Sequence, residues 1–287
     1  VARWIMNKHG GDVSISSAGI GKEAARALAR MGATVVLACR NAEKGEAVRQ
    51  DIMRSAGNDR VELEIVDFSL QRSIREFAPR VLARHPVIHV LVNNAGVWLK
   101  ARTETSEGIE TTWATNQLGY FLTTQLLLDG LRAGAPSRIV NVASNLAKGL
   151  ELSDVEYRRR GFEGRAAYAQ SKQANRMWTW ALARRLEGSG VTANALHPGV
   201  VASELFGKSG GLLGTVASAA ASVIGRSLED GADTVVWLAA STDLAKTSGR
   251  YWMDRGEIPC RFRDVPAQEA LWGVCERMTA RSPDGGA

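Results

Sequence analysis

Gly19-Ile20-Gly21-Lys22-Glu23-Ala24-Ala25-Arg26-Ala27-Leu28-Ala29-Arg30-Met31-Gly32-Ala33-Thr34-Val35-Val36-Leu37-Ala38-Cys39-Arg40 holds a turn, a helix and a strand in immediate succession. Ile20, Ala24, Ala27, Leu28 and Met31 fall at i, i+4, i+7, i+8 and i+11, one apolar stripe along a helix. Gly32 ends that helix. Ala33 to Cys39 is a continuous apolar run, the pattern of a strand covered on both faces.

The same alternation continues along the chain. Val61 to Val66, Ile88 to Val92, Ile139 to Val142 and Val191 to Leu196 read as further buried strands. Helices fit residues 42–56, 69–84 with Ser69 as cap, roughly 107–132, roughly 163–188 and 229–241. Repeated strand–helix–strand units predict an α/β fold, a doubly wound parallel sheet with helices on both faces. No linker, repeat or low-complexity segment divides residues 1–287, so one domain is expected. An apolar, glycine-hinged insertion at about 204–227 reads either as a lid over a lipophilic substrate or as a surface helical hairpin.

Composition narrows the function classes. With 45% hydrophobic and 23% charged residues, the chain is an ordinary globular one. No run is apolar enough to span a membrane, and the opening Val1-Ala2-Arg3-Trp4-Ile5-Met6 lacks the shape of a secretion signal. Three cysteines, Cys39, Cys260 and Cys275, cannot build a disulfide framework and suit a reducing, cytoplasmic setting. His9, His85, His89, His197 and those cysteines show no metal-ligand spacing. The net charge of +6 comes from 36 basic and 30 acidic residues spread along the chain, with no groove-reading element for nucleic acid. The one basic run, Arg158-Arg159-Arg160, reads as a solvated loop beside Asp154, Glu156 and Glu163, or as a patch for an anionic substrate or lipid surface.

Chemistry-bearing residues cluster at the predicted carboxyl ends of strands. Free amides where Gly19-Ile20-Gly21 opens its helix suit a pyrophosphate. Arg40, after the next strand, suits a ribose 2′-phosphate where a carboxylate would select the 2′-hydroxyl. Asp67 and Asn93-Asn94-Ala95-Gly96 follow the next two strands, and Ser144 follows another. Tyr168 and Lys172 are four apart on a helix and share a face, where a cation lowers a phenol's pKa and prepares it for proton transfer.

Gly19-Ile20-Gly21, Asn93-Asn94-Ala95-Gly96, Asn116, Ser144, Tyr168-xxx-Lys172 and Pro198-Gly199, in this order and spacing, resemble the short-chain dehydrogenase/reductase family. Leu37-Ala38-Cys39-Arg40-Asn41, Asn116-Gln117-Leu118-Gly119 and His197-Pro198-Gly199-Val200-Val201 resemble its retinol-dehydrogenase-like, NADP-preferring branch. The resemblance covers roughly residues 8–255 and implies a single Rossmann-type domain that interconverts a carbonyl and an alcohol with NADP(H). It implies Tyr168 as general acid or base, Lys172 as its partner and ribose ligand, Ser144 as the substrate-oxygen ligand, and Asn116 as support for a relay water. It also implies cofactor contacts at Ser17, Gly19, Ile20, Gly21, Arg40, Asp67, Phe68, Asn94, Ala95, Gly96, Pro198, Val201 and Ser203. Homodimers form in this family through the helices at 107–132 and 163–188, and peripheral membrane contact stays open.

The family's Thr-Gly-xxx-Gly-Ile-Gly motif is altered here. Counting back from Gly21, Ser14 takes the threonine position and Ile15 the first glycine position, and Gly10-Gly11-Asp12-Val13 precedes them where an apolar strand is expected. Glycine permits a tight turn and a close backbone approach, whereas a β-branched residue is stiff. The rival reading is therefore a family-like protein with impaired cofactor binding that acts by association. In a slipped register, Val13 to Ser16 instead ends the strand and a shortened loop reaches Gly19.

Overall fold

The computed structural model describes residues 19–199 and 227–280, together with the backbone of residues 11–15. Eight strands form one sheet: β1 (Gly11–Ile15), β2 (Thr34–Cys39), β3 (Val61–Ile65), β4 (Ile88–Asn93), β5 (Ser137–Val142), β6 (Val191–Leu196), β7 (Tyr251–Met253) and β8 (Gly256–Glu257). Their order is β3-β2-β1-β4-β5-β6-β7-β8, parallel throughout until β8 turns back antiparallel on β7. The polar first strand therefore forms. Neighbours on both sides supply its ladder, from Gly11↔Thr34 on β2 to Ile15↔Asn93 on β4. Its last residue is Ile15.

The helices are α1 (Gly19–Arg30), α2 (Ala42–Ala56), α3 (Gln71–Arg84), the short α4 (Thr111–Trp113), α5 (Gly119–Ala133), α6 (Gly164–Arg185), α7 (Leu228–Ala240) and α8 (Val265–Ala280). Alternate β2 side chains enter opposite layers: Val35 and Leu37 join Leu28, Ile52 and Val235, while Val36 and Ala38 join Phe77, Phe121 and Trp178. That two-sided burial is why the strands read as unbroken apolar runs.

Local hydrogen bonds move three predicted boundaries. Ser69 does not cap α3; its N–H and hydroxyl both donate to Asp67 Oδ1, at 2.9 and 2.7 Å, in an Asx turn. Glu107 takes over the cap from 36 residues away in sequence, accepting from Gln71 N at 2.8 Å and Arg72 N at 2.9 Å. Residues 104–110 are a small turn rather than helix, closed by an antiparallel bridge between Glu104 and Glu110. Glu110 then caps α4, accepting from Thr112 N at 2.8 Å and Trp113 N at 2.7 Å. Between α4 and α5 lies a π turn, Ala114–Leu118, where continuous helix is predicted.

The basic run is consumed inside its own loop. Arg158 reaches Glu156 at 3.1 Å and Glu104 at 3.2 Å. Arg160 reaches Gln170 Oε1 at 2.5 Å and lies 4.0 Å over the Tyr157 ring. Asp154 accepts from the backbone N–H groups of Arg158 at 2.8 Å and Arg160 at 3.1 Å. These guanidinium groups bond within the loop and to Glu104 and Gln170, while Arg158 and Arg159 stay exposed, which accords with the solvated-loop reading. Ser17, Val201, Ser203 and the insertion at about 204–227, up to residue 226, lie outside the described residues.

The last helix packs on the domain instead of trailing from it. Leu271 and Cys275 are fully buried, and Trp272 meets Phe121 of α5 edge-on at 5.1 Å. Arg185 of α6 stacks 3.8 Å from the Trp272 ring and pairs with Glu269. Trp272→Ala should destabilise the chain by about 3–5 kcal/mol, the usual cost of emptying a large aromatic site. Urea denaturation of the two proteins measures it, and a loss under about 1 kcal/mol would mean α8 is not part of the cooperative fold.

Candidate active site

The strand order reverses direction between β1 and β4, and the crevice beyond the carboxyl ends of such strands is where ligands bind in sheets of this kind. Four chains of bonding bring side chains to that end of the molecule.

The first starts at Asn116, fully buried in the π turn. Its Oδ1 accepts from Val97 N at 2.8 Å; its Nδ2 donates to Val97 O and to Ser171 Oγ, both at 3.0 Å. Ser171 Oγ in turn donates to Tyr168 O at 2.7 Å. One amide thus ties the loop after β4 to the helix that carries Tyr168. A π turn rotates its residues out of the ordinary helical phase, and such turns recur at functional sites. The Asn116 carbonyl accepts from Asn175 Nδ2 at 2.7 Å, at the place where the family resemblance implies a relay water.

The second starts at Tyr168, on α6 and 6% exposed. Its hydroxyl lies near Ser144, just after β5, close enough for that side chain to draw the phenol's pKa down. Trp98 stacks on the Tyr168 ring, centroids 5.1 Å apart and planes 12° apart.

The third is Lys172, one turn along α6. Its Nζ donates to Val142 O at 2.8 Å and lies 5.3 Å from the Tyr120 ring centroid and 5.8 Å from that of Tyr168. Sequence spacing leads one to expect the lysine to lower the tyrosine's pKa. Burial wins instead. It pushes the Tyr168 phenol up to about 12, with only the Ser144 hydrogen bond pulling down, and it brings the Lys172 ammonium down to about 7. Removing water from both groups disfavours both charged forms at once. At neutral pH the phenol therefore holds its proton.

The fourth is Arg176, another turn along, 7% exposed. It donates to Ser144 O and to Tyr251 Oη, and lies 3.4 Å from Asn145 Oδ1. The guanidinium stacks 3.7 Å over the Tyr251 ring. No carboxylate among the described residues pairs with it; backbone and hydroxyl oxygens hold the strand end that carries Ser144. Sequence reasoning missed Arg176, Tyr251 and Trp98. Tyr168, Lys172 and Arg176 at i, i+4 and i+8 were the available signal for the first, whereas nothing in spacing brings Trp98 from a loop onto α6.

The remaining predicted residues line the crevice to different degrees. Gly19 opens α1 at φ +57°, with open space where a Cβ would project. Ile20 packs toward the core and Gly21 is buried. Arg40 is 74% exposed and 3.7 Å from Asp67 Oδ2. Asn93 is fully buried and bonds Thr124 and Asn141 at 3.0 and 2.8 Å, so it braces the sheet while Asn94 reaches the surface. Ala95 and Pro198 are half-buried. A Cβ on Gly96 would stand 3.5 Å from Asn116 Oδ1 and 3.7 Å from Lys172 Nζ. The Phe68 ring is buried edge-on against Phe77 at 6.0 Å, so its backbone is the part that faces the crevice side.

These residues fit a dinucleotide. The helix start at Gly19 presents free amides to a pyrophosphate. Gly96 keeps a gap beside Lys172, and the ammonium has used one of its three donors. Among the described residues no cluster of His, Cys, Asp or Glu suits a metal ion, and no helix is long and apolar enough to cross a membrane.

Comparison with known proteins agrees with this geometry. A family model described as short chain dehydrogenase matches residues 15–210. The chain is 41% identical to mouse retinol dehydrogenase 12, over 92% of this chain and 84% of that protein. It is 40% identical to human retinol dehydrogenase 13, over 93% and 83%. It is also 38% identical to mouse polyprenol dehydrogenase, over 93% and 82%. A solved protein from Mycobacterium paratuberculosis superposes with a TM-score of 0.74 at 30% identity, covering 96% of this chain and 94% of that one. Another, from Beutenbergia cavernae and named for NAD(P)-dependent gluconate 5-dehydrogenase activity, was solved with NADP bound at low occupancy. It superposes with a TM-score of 0.67 at 27% identity, covering 84% of this chain and 93% of that one.

Burying Lys172 has a measurable cost. Its pKa in the folded chain lies below the ordinary value of 10.5, so between about pH 7 and 10.5 the unfolded chain binds more protons and stability rises with pH. Lys172→Met should therefore be more stable than wild type at pH 7, by about 1–3 kcal/mol, with the advantage shrinking toward pH 10. Chemical denaturation at both pH values measures it; equal destabilisation at both would mean the buried ammonium carries no penalty.

Proposed function

Because this chain belongs to the short-chain dehydrogenase family, we propose that it is an NADP(H)-dependent oxidoreductase that interconverts a carbonyl and an alcohol on a lipophilic substrate. The observation that carries the reading is the convergence of Ser144 and Lys172 Nζ on the buried Tyr168 phenol, with Asn116 bracing the helix behind it.

In carbonyl reduction, Tyr168 donates its proton to the substrate oxygen while the Ser144 hydroxyl donates a hydrogen bond to the same atom. A phenol held neutral at pH 7 is in the right state for this. In alcohol oxidation the same oxygen must first lose its proton, so that direction gains with rising pH. A bound nicotinamide dinucleotide supplies or accepts the hydride. Lys172 directs its free donors to the cofactor ribose, and its charge favours the phenolate left after proton transfer. The Gly19-Ile20-Gly21 turn, with Ser17, receives the pyrophosphate. Asp67 and the backbone at Phe68 serve the adenine side with Asn94, Ala95 and Gly96, and Pro198, Val201 and Ser203 serve the nicotinamide side.

The lipophilic substrate class is supported by the names of the relatives, retinol and polyprenol dehydrogenases. Three free cysteines accord with a reducing, cytoplasmic setting. A homodimer through α5 and α6 would have to accommodate α8, which already lies along α6. The rival reading, a weak cofactor binder that acts by association, rests on Ile15 where the family has glycine. Against it stands the assembly of Asn116, Ser144, Tyr168 and Lys172, which a purely associating protein has no need to keep together.

Two measurements test the proposal. Tyr168→Phe should lose at least about a hundredfold in turnover while cofactor binding survives, since general acid–base catalysis contributes about 10²–10⁴ and the ring is retained. NADPH consumption with decanal and a panel of other lipophilic aldehydes reads it; near-equal rates would remove Tyr168 from the chemistry, and no turnover by wild type with NADPH bound would favour the rival. Arg40→Ala should weaken NADPH by about ten- to a hundredfold and leave NADH unchanged, the value of a charge-assisted contact to the 2′-phosphate. Titrating both cofactors against both proteins settles it, and equal affinity of wild type for NADH and NADPH would end the NADP assignment.

A further inference from the structure

We propose that Trp98 is a positioning residue for Tyr168: its indole, stacked on the phenol, fixes the ring beside Ser144 and opposes its ionisation, and so sets the pH at which the site turns from proton donor to proton acceptor. The inference rests on Tyr168 being the acid–base group.

Trp98 is held on both sides. Before it, Val97 gives its N–H to Asn116 Oδ1 at 2.8 Å and takes Asn116 Nδ2 on its carbonyl at 3.0 Å. After it, Leu99 O lies against the α carbon of Gly164, at the start of α6, so closely that a Cβ there would overlap the oxygen. Gly164 is one helical turn before Tyr168. The loop is thereby pinned to the π turn at one end and to α6 at the other, and the indole between them lands on the phenol ring at 5.1 Å and 12°. Near-parallel planes at this separation make an offset stack.

A stacked indole acts on the phenol in two ways. It covers one side of the ring and keeps water from it, which penalises the charged form. It also presents the negative side of its own quadrupole to a ring that gains electron density when the hydroxyl ionises. Both effects oppose phenolate.

Among the described residues, the other groups facing Tyr168 are these. Lys172 Nζ stands 5.8 Å from the ring centroid and favours phenolate when charged, as does the hydrogen bond from Ser144. Tyr120 from α5 and Tyr251 from β7 are themselves pushed up by burial and stay neutral near pH 7. Among the described residues, Trp98 is therefore the aromatic side chain stacked on Tyr168 that weighs against the Lys172 charge, and exchanging it should move the balance.

Trp98→Leu keeps apolar bulk and removes the stack; Trp98→Phe keeps an aromatic face. In protein labelled with 13C at tyrosine Cζ, the Tyr168 resonance is the one absent from Tyr168→Phe, and its titration gives the midpoint without substrate. Trp98→Leu should lower that midpoint by about one pH unit, while Trp98→Phe stays near wild type. The pH at which 1-decanol oxidation rises should move the same way, with NADP affinity unchanged. An unaltered midpoint in Trp98→Leu, or an equal shift in both variants, overturns the proposal. Turnover of Tyr168→Phe at the wild-type rate would instead bring down the acid–base reading, and the resonance midpoints would still report on Trp98.

Discussion

The side-chain amide of Asn116 joins parts of the chain that secondary structure leaves separate. Its three hydrogen bonds run to both backbone groups of Val97 and to Ser171 Oγ, so the loop after β4 and the middle of α6 meet at one buried point. From there the order spreads outward: Ser171 holds the Tyr168 carbonyl, Val97 sets the course of the chain into Trp98, and Asn175 holds the Asn116 carbonyl from the next turn of α6. Buried polar networks of this kind are sensitive to single changes and precise in placement. The π turn is the backbone's contribution, since it directs Asn116 inward between two helices.

Two cations are buried beside this network without a carboxylate partner among the described residues. Lys172 uses one carbonyl, and Arg176 uses a carbonyl, an amide oxygen and a tyrosine. Taking such groups out of water is costly, and backbone dipoles with aromatic faces offset only part of it. A domain selected for stability alone would fill these positions with apolar side chains. Both cations are retained all the same, one beside the Tyr168 ring and one behind Ser144.

The same economy shows in the loops around the site. Asp154 collects backbone N–H groups from Arg158 to Arg160, and those arginines spend their guanidinium groups on neighbours within the loop and on Glu104 and Gln170. Glu107 and Glu110, from one short turn, cap two different helices. Charge that reads as surface potential in a sequence here also holds loops and helix starts in place.

Much of this was legible in the chain itself. Continuous apolar runs from Thr34 to Cys39 and from Val191 to Leu196 announce strands covered on both faces, because backbone in a parallel sheet leaves no wet side. Tyr168 and Lys172 share a face because a helix repeats every 3.6 residues. Short-range periodicity is enough for both conclusions. It is not enough for contacts made across the fold. A caps-by-neighbour rule puts Ser69 on α3, whereas a carboxylate from residue 107 arrives there through space. Adjacent opposite types suggest that Lys172 depresses the tyrosine pKa, whereas the burial that decides the matter comes from β5, α5 and the Trp98 loop closing around both groups. The polar strand Gly11–Ile15 has no apolar pattern to declare it; neighbours on both sides supply its hydrogen bonds. The sequence by itself determined the fold class and the shared helix face of Tyr168 and Lys172, because those follow from local periodicity and motif spacing. Tertiary structure alone decided the protonation of that pair and the stacking of Trp98 upon it, because desolvation and ring contact depend on which distant segments close over the site.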